Sequence, residues 1–215
     1  MKIEKESRSE QELFWAGDFG SDYINRNKGK EAVASNVALF SRALHRCDRI
    51  DSVVELGANI GLNLSALKLL YPNQTQYAVE INHDAASVLR QTLPECNIFE
   101  QSILEIDNNQ ISREGVDLAL IKGVLIHINP DSLDEVYEKL YELTQRYLLI
   151  AEYYNPSPVA IEYRGHKGKL FKRDFCGEVL DKYPDLKLID YGFIYHRDPV
   201  YPQDDITWFL LEKQA

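Results

Sequence analysis

The stretch Ser52-Val53-Val54-Glu55-Leu56-Gly57-Ala58-Asn59-Ile60-Gly61-Leu62-Asn63 decides the fold. It opens with a short apolar run that stops at a glycine, the mark of a buried strand. Leu62 to Leu70 then carries a helical pattern, stopped at Tyr71-Pro72-Asn73. A strand, a turn and a helix in that order put Gly57 and Gly61 where a backbone needs positive φ or comes close to a ligand. The amino end of the helix behind them offers unpaired N–H groups and positive potential to a carboxylate or phosphate. About 25 residues after Glu55, Glu80 closes the next apolar run, Gln76-Tyr77-Ala78-Val79-Glu80. An acid there suits the two hydroxyls of a ribose.

Working outward, strands and helices alternate. A helix over 84–93 is stopped by Pro94, and Asn97-Ile98-Phe99 is a short strand. A fourth strand covers 116–121. Pro130-Asp131-Ser132 opens a helix that runs to about residue 144, with Pro at a favoured first-turn position. Tyr147-Leu148-Leu149-Ile150-Ala151-Glu152 is the fifth strand. Such alternation argues for βαβ units, and near-continuous apolar strands argue for a parallel sheet covered on both faces. Right-handed crossovers make it a doubly wound, Rossmann-like α/β sheet. Upstream, residues 1–12 are polar and expected to fray. Gly17, Gly20 and Asn27-Lys28-Gly29 break the chain before a helix over 30–46. Downstream, residues 153–173 are rich in Tyr, Pro and Gly and read as a functional loop over the strand ends. A helix at 171–183 and strands at 186–195 and 205–212 follow. The expected division is an arm with a lid helix over 1–47 and a Rossmann-like domain over 48–215.

At 215 residues the chain is one domain with at most a small appendage. Its formal net charge of −10 argues against general binding to nucleic acid, where affinity comes from Lys and Arg on phosphate. No apolar run approaches the ~20 residues of a membrane span. Met1-Lys2-Ile3-Glu4-Lys5-Glu6-Ser7 is too charged for a secretory signal, so a cytoplasmic monomer or homodimer is expected. Cys47, Cys96 and Cys176 are odd in number and far apart, as free thiols in a reducing compartment are. No His and carboxylate cluster has the spacing of metal ligands, so no metal is expected.

The glycine turn admits three readings. A nicotinamide fingerprint needs G-x-G-x-x-G, but Asn59 and Leu62 stand where its second and third glycines belong. A tight turn without ligand is the second. The third is that E-x-G-x-N-x-G, with Glu80 on the next strand, resembles the first motif of class I S-adenosylmethionine-dependent methyltransferases. Glu100-Gln101-Ser102-Ile103 follows the third strand, where that family usually sets an Asp against the adenine amine. Here Ser102 stands instead, which shifts the expected contact to the backbone near Ile103. Lys122-Gly123-Val124-Leu125-Ile126-His127-Ile128-Asn129-Pro130 looks like the family's fourth motif, beside the methionine part of the cofactor. The resemblance implies S-adenosylmethionine as cofactor, held by Glu55, Gly57, Ala58, Asn59, Gly61, Glu80, Ile81, Ser102, Ile103, Lys122 and Gly123. It also implies a mostly parallel sheet with an antiparallel carboxy-terminal strand.

A closer resemblance is to the pseudaminic acid biosynthesis-associated methylases. Phe14-Trp15-Ala16-Gly17-Asp18-Phe19-Gly20, the glycine turn, residues 122–130, Ala151-Glu152-Tyr153-Tyr154-Asn155-Pro156, Tyr163-Arg164-Gly165-His166-Lys167 and Gln203-Asp204-Asp205-Ile206-Thr207-Trp208-Phe209 carry it. It covers roughly residues 10–213. It implies a small-molecule acceptor of the nonulosonic acid kind: a sugar, sugar nucleotide or surface glycan.

The substrate side has signals of its own. Arg164, His166, Lys167, Lys169, Lys172 and Arg173 crowd together on an acidic chain, either as a solvated loop or as a site for a phosphate or carboxylate. Arg164, Lys167 and Arg173 are the candidates for the anion. Tyr153, Asn155 and Tyr163 flank them, and an aromatic ring with a hydroxyl tip suits a sugar. Trp15 and Tyr23, with Phe14 and Phe19, form either a lid or a staple for the arm. A hydroxyl nucleophile needs a base nearby. His127, Glu152 and His196 are the candidates, with Tyr154 as a polar orienter; the alternative for His196 is a turn element paired with Asp198. Two alternatives stay open: a catalytically silent partner protein of this fold, and a methyltransferase acting on another small molecule, a protein or a nucleic acid. The chain lacks the N-P-P-[YF] tetrapeptide of base-amine methylation.

Overall fold

The computed structural model describes residues 8–26 and 29–214. Five parallel strands form the centre: β1 (Ser52–Leu56), β2 (Thr75–Glu80), β3 (Asn97–Glu100), β4 (Val116–Lys122) and β5 (Thr144–Glu152). β8 (Leu186–Ile194) and β9 (Ile206–Lys213) complete a seven-stranded sheet in the order β3-β2-β1-β4-β5-β9-β8. β9 runs antiparallel to both β5 and β8. The chain order reverses between β1 and β4, which opens a crevice at the carboxyl ends of those strands.

Successive strand residues face opposite sides, so the apolar runs feed two cores at once. Val54, Ala119, Ile121 and Leu148 pack with Val136, Leu140 and Leu143 of α7 (Leu133–Leu143), and with Phe175 and Val179 of α8 (Phe175–Lys182). Val53, Leu118, Leu120 and Leu149 pack on the other face with Leu39 and Phe40 of α3 (Lys30–Ala43), and with Leu64 and Leu67 of α4 (Leu62–Leu70). Each fully buried Leu or Phe contributes about 1.5–3 kcal/mol relative to its exposed state, so these two layers dominate stability. α5 (His83–Thr92) and the short α6 (Asn108–Ile111) complete the chain's helical crossovers.

Four details depart from the expected elements. Residues 10–26 form two helices, α1 (Glu10–Ala16) and α2 (Asp18–Arg26), where the sequence reading has a polar end and a broken segment. Ser9 and Glu12 cap α1 reciprocally, Ser9 Oγ accepting from Glu12 N and Glu12 Oε2 accepting from Ser9 N. Gly20 lies inside α2 rather than breaking it, and its missing side chain makes room for the end of α1: a Cβ there would lie 2.0 Å from the Trp15 carbonyl. Residues 153–173 are no open loop: β6 (Val159–Tyr163) and β7 (His166–Lys172) pair as an antiparallel hairpin. Arg164 and Gly165, at φ 52 and 85, make its two-residue turn. That pairing holds Phe171 and Lys172, so α8 begins at Phe175 rather than at 171, with the Asp174 side chain accepting from Gly177 N.

Candidate active site

A cavity of about 1010 Å³ opens over the carboxyl ends of β1, β2, β4 and β5. It is at the top of the roughly 300–1,000 Å³ usual for a small-molecule pocket, room for two ligands side by side. One wall is the turn after β1. Gly57, Asn59 and Gly61 have φ of 78, 48 and 80. Asn is among the few residues with a side chain that tolerate that region. A Cβ on Gly57 would lie 2.6 Å from Val124 Cγ2, so this glycine is demanded first by the chain's own packing. Glu80 is 7% exposed, and it is oriented on both sides. Its Oε2 accepts from Asn59 N at 2.7 Å and its Oε1 from Asn82 N at 2.8 Å. Burial pushes the Glu80 carboxyl up, and those backbone N–H groups pull it back.

Ala58, Ile81, Ser102, Ile103, Lys122 and Gly123 line the same wall. Glu55 and Gly61 stand behind it. Glu55 is wholly buried, accepts from Asn63 Nδ2 at 2.6 Å through Oε1, and has an unpartnered Oε2. Burial raises its carboxyl to about 8, against the Asn63 bond and the nearby Lys122. Burial likewise lowers Lys122, against the pull of Glu55, Asp204 and Glu152.

The opposite wall carries aromatic and titratable groups. His127 Nδ1 lies 2.6 Å from the Lys169 carbonyl, so Nδ1 carries the proton and Nε2 is the ring's acceptor. Burial drops the His127 ring to about 4, which keeps it neutral at pH 7. Trp15 and Tyr163 pack on it at centroid distances of 4.5 and 5.0 Å. Tyr23 stacks edge-on against Trp15, and Tyr23, Tyr153 and Arg164 also line the cavity. His196 lines it too, with Nδ1 2.9 Å from each oxygen of Asp205. Asp198, its partner in the alternative reading, instead accepts from Val200 N and Tyr201 N in its own turn.

Several candidates lie elsewhere. Glu152 does not line the cavity: its Oε1 accepts from Val124 N and Leu125 N, both at 2.9 Å, and so anchors the loop after β4. Burial raises its carboxyl to about 7 against those two bonds. Tyr154 is exposed beside Phe209 of β9 and does not line the cavity, and Asn155 donates to the Ser157 carbonyl. Lys167 is exposed and Arg173 pairs with Glu178 at 2.6 Å, both outside the cavity. Lys169 is 5% exposed and pairs with Glu10 at 2.6 Å. Strand alternation thus divides the basic cluster, and only Arg164 and Lys172 of it reach the cavity.

The sequence reading misses Glu12, Glu31, Asn36 and the segment Gln203-Asp204-Asp205, all of which line the cavity. For Glu12 the signal was the capping box spacing from Ser9, S-x-x-E. Asp205 comes to His196 only through the β8–β9 turn, for which no spacing rule exists.

No family model matches the chain, and no curated protein matches it. Solved structures do. A Burkholderia thailandensis 1,6-didemethyltoxoflavin-N1-methyltransferase with bound S-adenosylhomocysteine superposes at TM-score 0.70 and 16% identity, covering 99% of this chain and 94% of that one. This is the methyltransferase fold. A magnesium protoporphyrin IX methyltransferase from Synechocystis PCC 6803, with bound S-adenosylmethionine, is similar at TM-score 0.65, 13% identity, and 98% and 100% coverage. The plantazolicin methyltransferase BpumL, in complex with a pentazolic desmethylPZN analogue and S-adenosylhomocysteine, gives 0.65, 11%, and 95% of each chain. The mostly parallel sheet with its antiparallel carboxy-terminal strand is common ground with this fold. Among the described residues no helix is long and apolar enough to cross a membrane.

Proposed function

We propose that this chain is an S-adenosylmethionine-dependent methyltransferase acting on an oxygen or nitrogen of a small, anionic, sugar-derived acceptor in the cytoplasm. The observation that carries the reading is Glu80: a carboxylate held by two backbone N–H groups at the end of β2, beside the turn 57–61, in a cavity large enough for donor and acceptor. The residues fit the cofactor. Glu80 keeps free lone pairs for two ribose hydroxyls, and residues 57–60 of the turn line the cavity beside it. The neighbours that hold S-adenosylmethionine or its product, and methylate diverse small molecules, support the same reading. When bound, the cofactor supplies an activated methyl group, so little chemical drive is asked of the protein.

The chain's own residues must position and deprotonate the acceptor. Arg164 and Lys172 supply cations for its phosphate or carboxylate, Arg in a two-pronged bond and Lys as a point charge. Tyr153 and Tyr163 offer faces to a sugar ring. His196 is the proton acceptor: Asp205 holds its Nδ1–H, leaving Nε2 to take the proton while the carboxylate offsets the charge that develops. His127, neutral and locked on Lys169, orients the acceptor instead. α1 and α2 serve as a lid against water, with Trp15 its innermost ring. The sugar class rests on the pseudaminic acid methylase resemblance, and the cytoplasmic setting on free Cys47, Cys96 and Cys176.

The test is incubation with methyl-labelled cofactor and acidic sugars or sugar nucleotides, with mass spectrometry locating the label. Transfer to a sugar oxygen or nitrogen is the expected result. Calorimetry that finds no binding of cofactor at millimolar concentration ends the enzyme reading and leaves a non-catalytic partner of this fold.

A further inference from the structure

Ser102 follows β3 in the loop beside Glu80's strand, and a carboxylate from outside the sheet sits on it. Glu12 of α1 accepts from Ser102 Oγ through Oε1 and from Ser9 N through Oε2. Ser102 Oγ accepts in turn from Leu104 N at 3.1 Å, so the serine is held by its own loop. Glu12, Ser102 and Ile103 all line the cavity. Burial pushes the Glu12 carboxyl up, but the bonds from Ser102 and Ser9 outweigh it and keep the group below its ordinary value, hence ionised at neutral pH.

The direction of a bound nucleoside follows from the frame. Glu80 pairs in register with Glu100, so the loop holding Ser102 starts beside the ribose acid, on the edge-strand side of it. The acceptor groups His127, Tyr163 and His196 come from β4, β7's hairpin and the β8–β9 turn, on the far side. In a 5′-linked nucleoside the sulfur and the base leave the ribose from opposite ends. With the sulfur toward the acceptor groups, the base lies toward Ser102, Ile103 and Glu12.

We infer that Glu12, carried on the amino-terminal helix α1 and docked on Ser102, is the hydrogen-bond acceptor for the exocyclic amine of the cofactor's adenine. This rests on the cofactor reading above. Each oxygen of Glu12 has one protein donor, and a carboxylate oxygen accepts two, so this cavity-lining residue keeps acceptor capacity for the amine. Asn82 joins the two parts. Its N–H donates to Glu80, and its Nδ2 donates to the Trp15 carbonyl at the end of α1, so ribose acid and arm are set by one residue. Selection of adenine is thereby coupled to seating of the arm.

The experiment is calorimetric binding of two probes to the full chain: S-adenosylhomocysteine, and its analogue with hydrogen in place of the 6-amino group. A bond to a charged acceptor is worth about 1.5–3 kcal/mol, so wild type is expected to prefer the amine-bearing probe by roughly tenfold or more. Glu12→Ala should bring that ratio to near one, chiefly by weakening the amine-bearing probe. Glu12→Gln, which keeps an uncharged acceptor, should give an intermediate ratio and guards against loss of the helix. A ratio unchanged in both variants, with both probes weakened alike, means Glu12 only fastens the arm and overturns the inference. If neither probe binds wild type, the cofactor reading itself falls, a result distinct from an unchanged ratio.

Discussion

Substitution of Gly57 is the sharpest probe of the turn, because two separate costs can be worked out for it. An alanine at φ 78 meets the left-handed penalty, about 1–2 kcal/mol for an L-residue. Its Cβ would also lie 2.6 Å from Val124 Cγ2 and 3.0 Å from Cγ1. Val124 is β-branched, so no flexible end can swing aside, and overpacking of this kind costs about 1–3 kcal/mol. Gly57→Ala should therefore destabilise the chain by about 2–5 kcal/mol. Val124→Ala alone removes two partly buried methyl groups, at about 1 kcal/mol. In the double variant the clash is gone and only the backbone strain and the lost methyls remain. Urea denaturation of the four proteins measures a coupling of about 1–3 kcal/mol in favour of the pair. Additive effects would refute the claim that Val124 fills the glycine's missing side chain. Cofactor affinity should then fall in Gly57→Ala and recover in part with Val124→Ala.

Glu80→Ala should weaken S-adenosylhomocysteine binding by tenfold to a hundredfold in calorimetry, from loss of about 1.5–3 kcal/mol of charged hydrogen bonding; unchanged affinity removes Glu80 from the ribose role. Glu152 and Glu55 have folded values raised from 4.5 to about 7 and about 8, chiefly by burial. The unfolded chain releases their protons first as pH rises, so the stability these two groups contribute is fully present below about pH 4.5 and is lost through about pH 7 to 8. The melting temperature of Glu152→Gln should thus gain on wild type as pH goes from about 5 to about 8, and a difference independent of pH counts against burial as the cause. Arg164→Ala should raise the acceptor's KM severalfold with cofactor affinity intact. Arg173→Ala, paired with Glu178 outside the cavity, should leave KM alone, and the reverse pattern would place the anion elsewhere. His196→Gln should lower kcat by roughly a hundredfold to ten-thousandfold with cofactor affinity unchanged, whereas a retained kcat assigns the proton to another group.

The local signals of this chain were strong enough to determine its sheet. Val53, Val54 and Leu56 before Gly57, and the Leu62–Leu70 helix after it, form β1, the turn and α4 at the expected residues. Such elements are set by near neighbours: apolar periodicity, a glycine at positive φ, a proline stop. The acid at the end of the second strand and the histidine after the fourth also reach the cavity, since a parallel sheet aligns its strand ends whatever else the chain does. What the sequence alone did not determine is which side chains share a space. The charges between Arg164 and Arg173 look like one patch in one dimension, but β6–β7 pairing sends Arg164 and Lys172 to the cavity and turns Arg173 to Glu178. Glu152 sits at a strand end as an active acid would, yet it lies outside the cavity with its Oε1 holding two backbone N–H groups of the neighbouring loop and its Oε2 buried without a partner. His196 finds Asp205 across a turn, and Glu12 finds Ser102 across 90 residues of chain. Contacts of that kind depend on how the pleat, the turns and the arm are packed together, and only the folded chain decides them, because side-chain hydrogen bonds of long sequence separation leave no periodic trace.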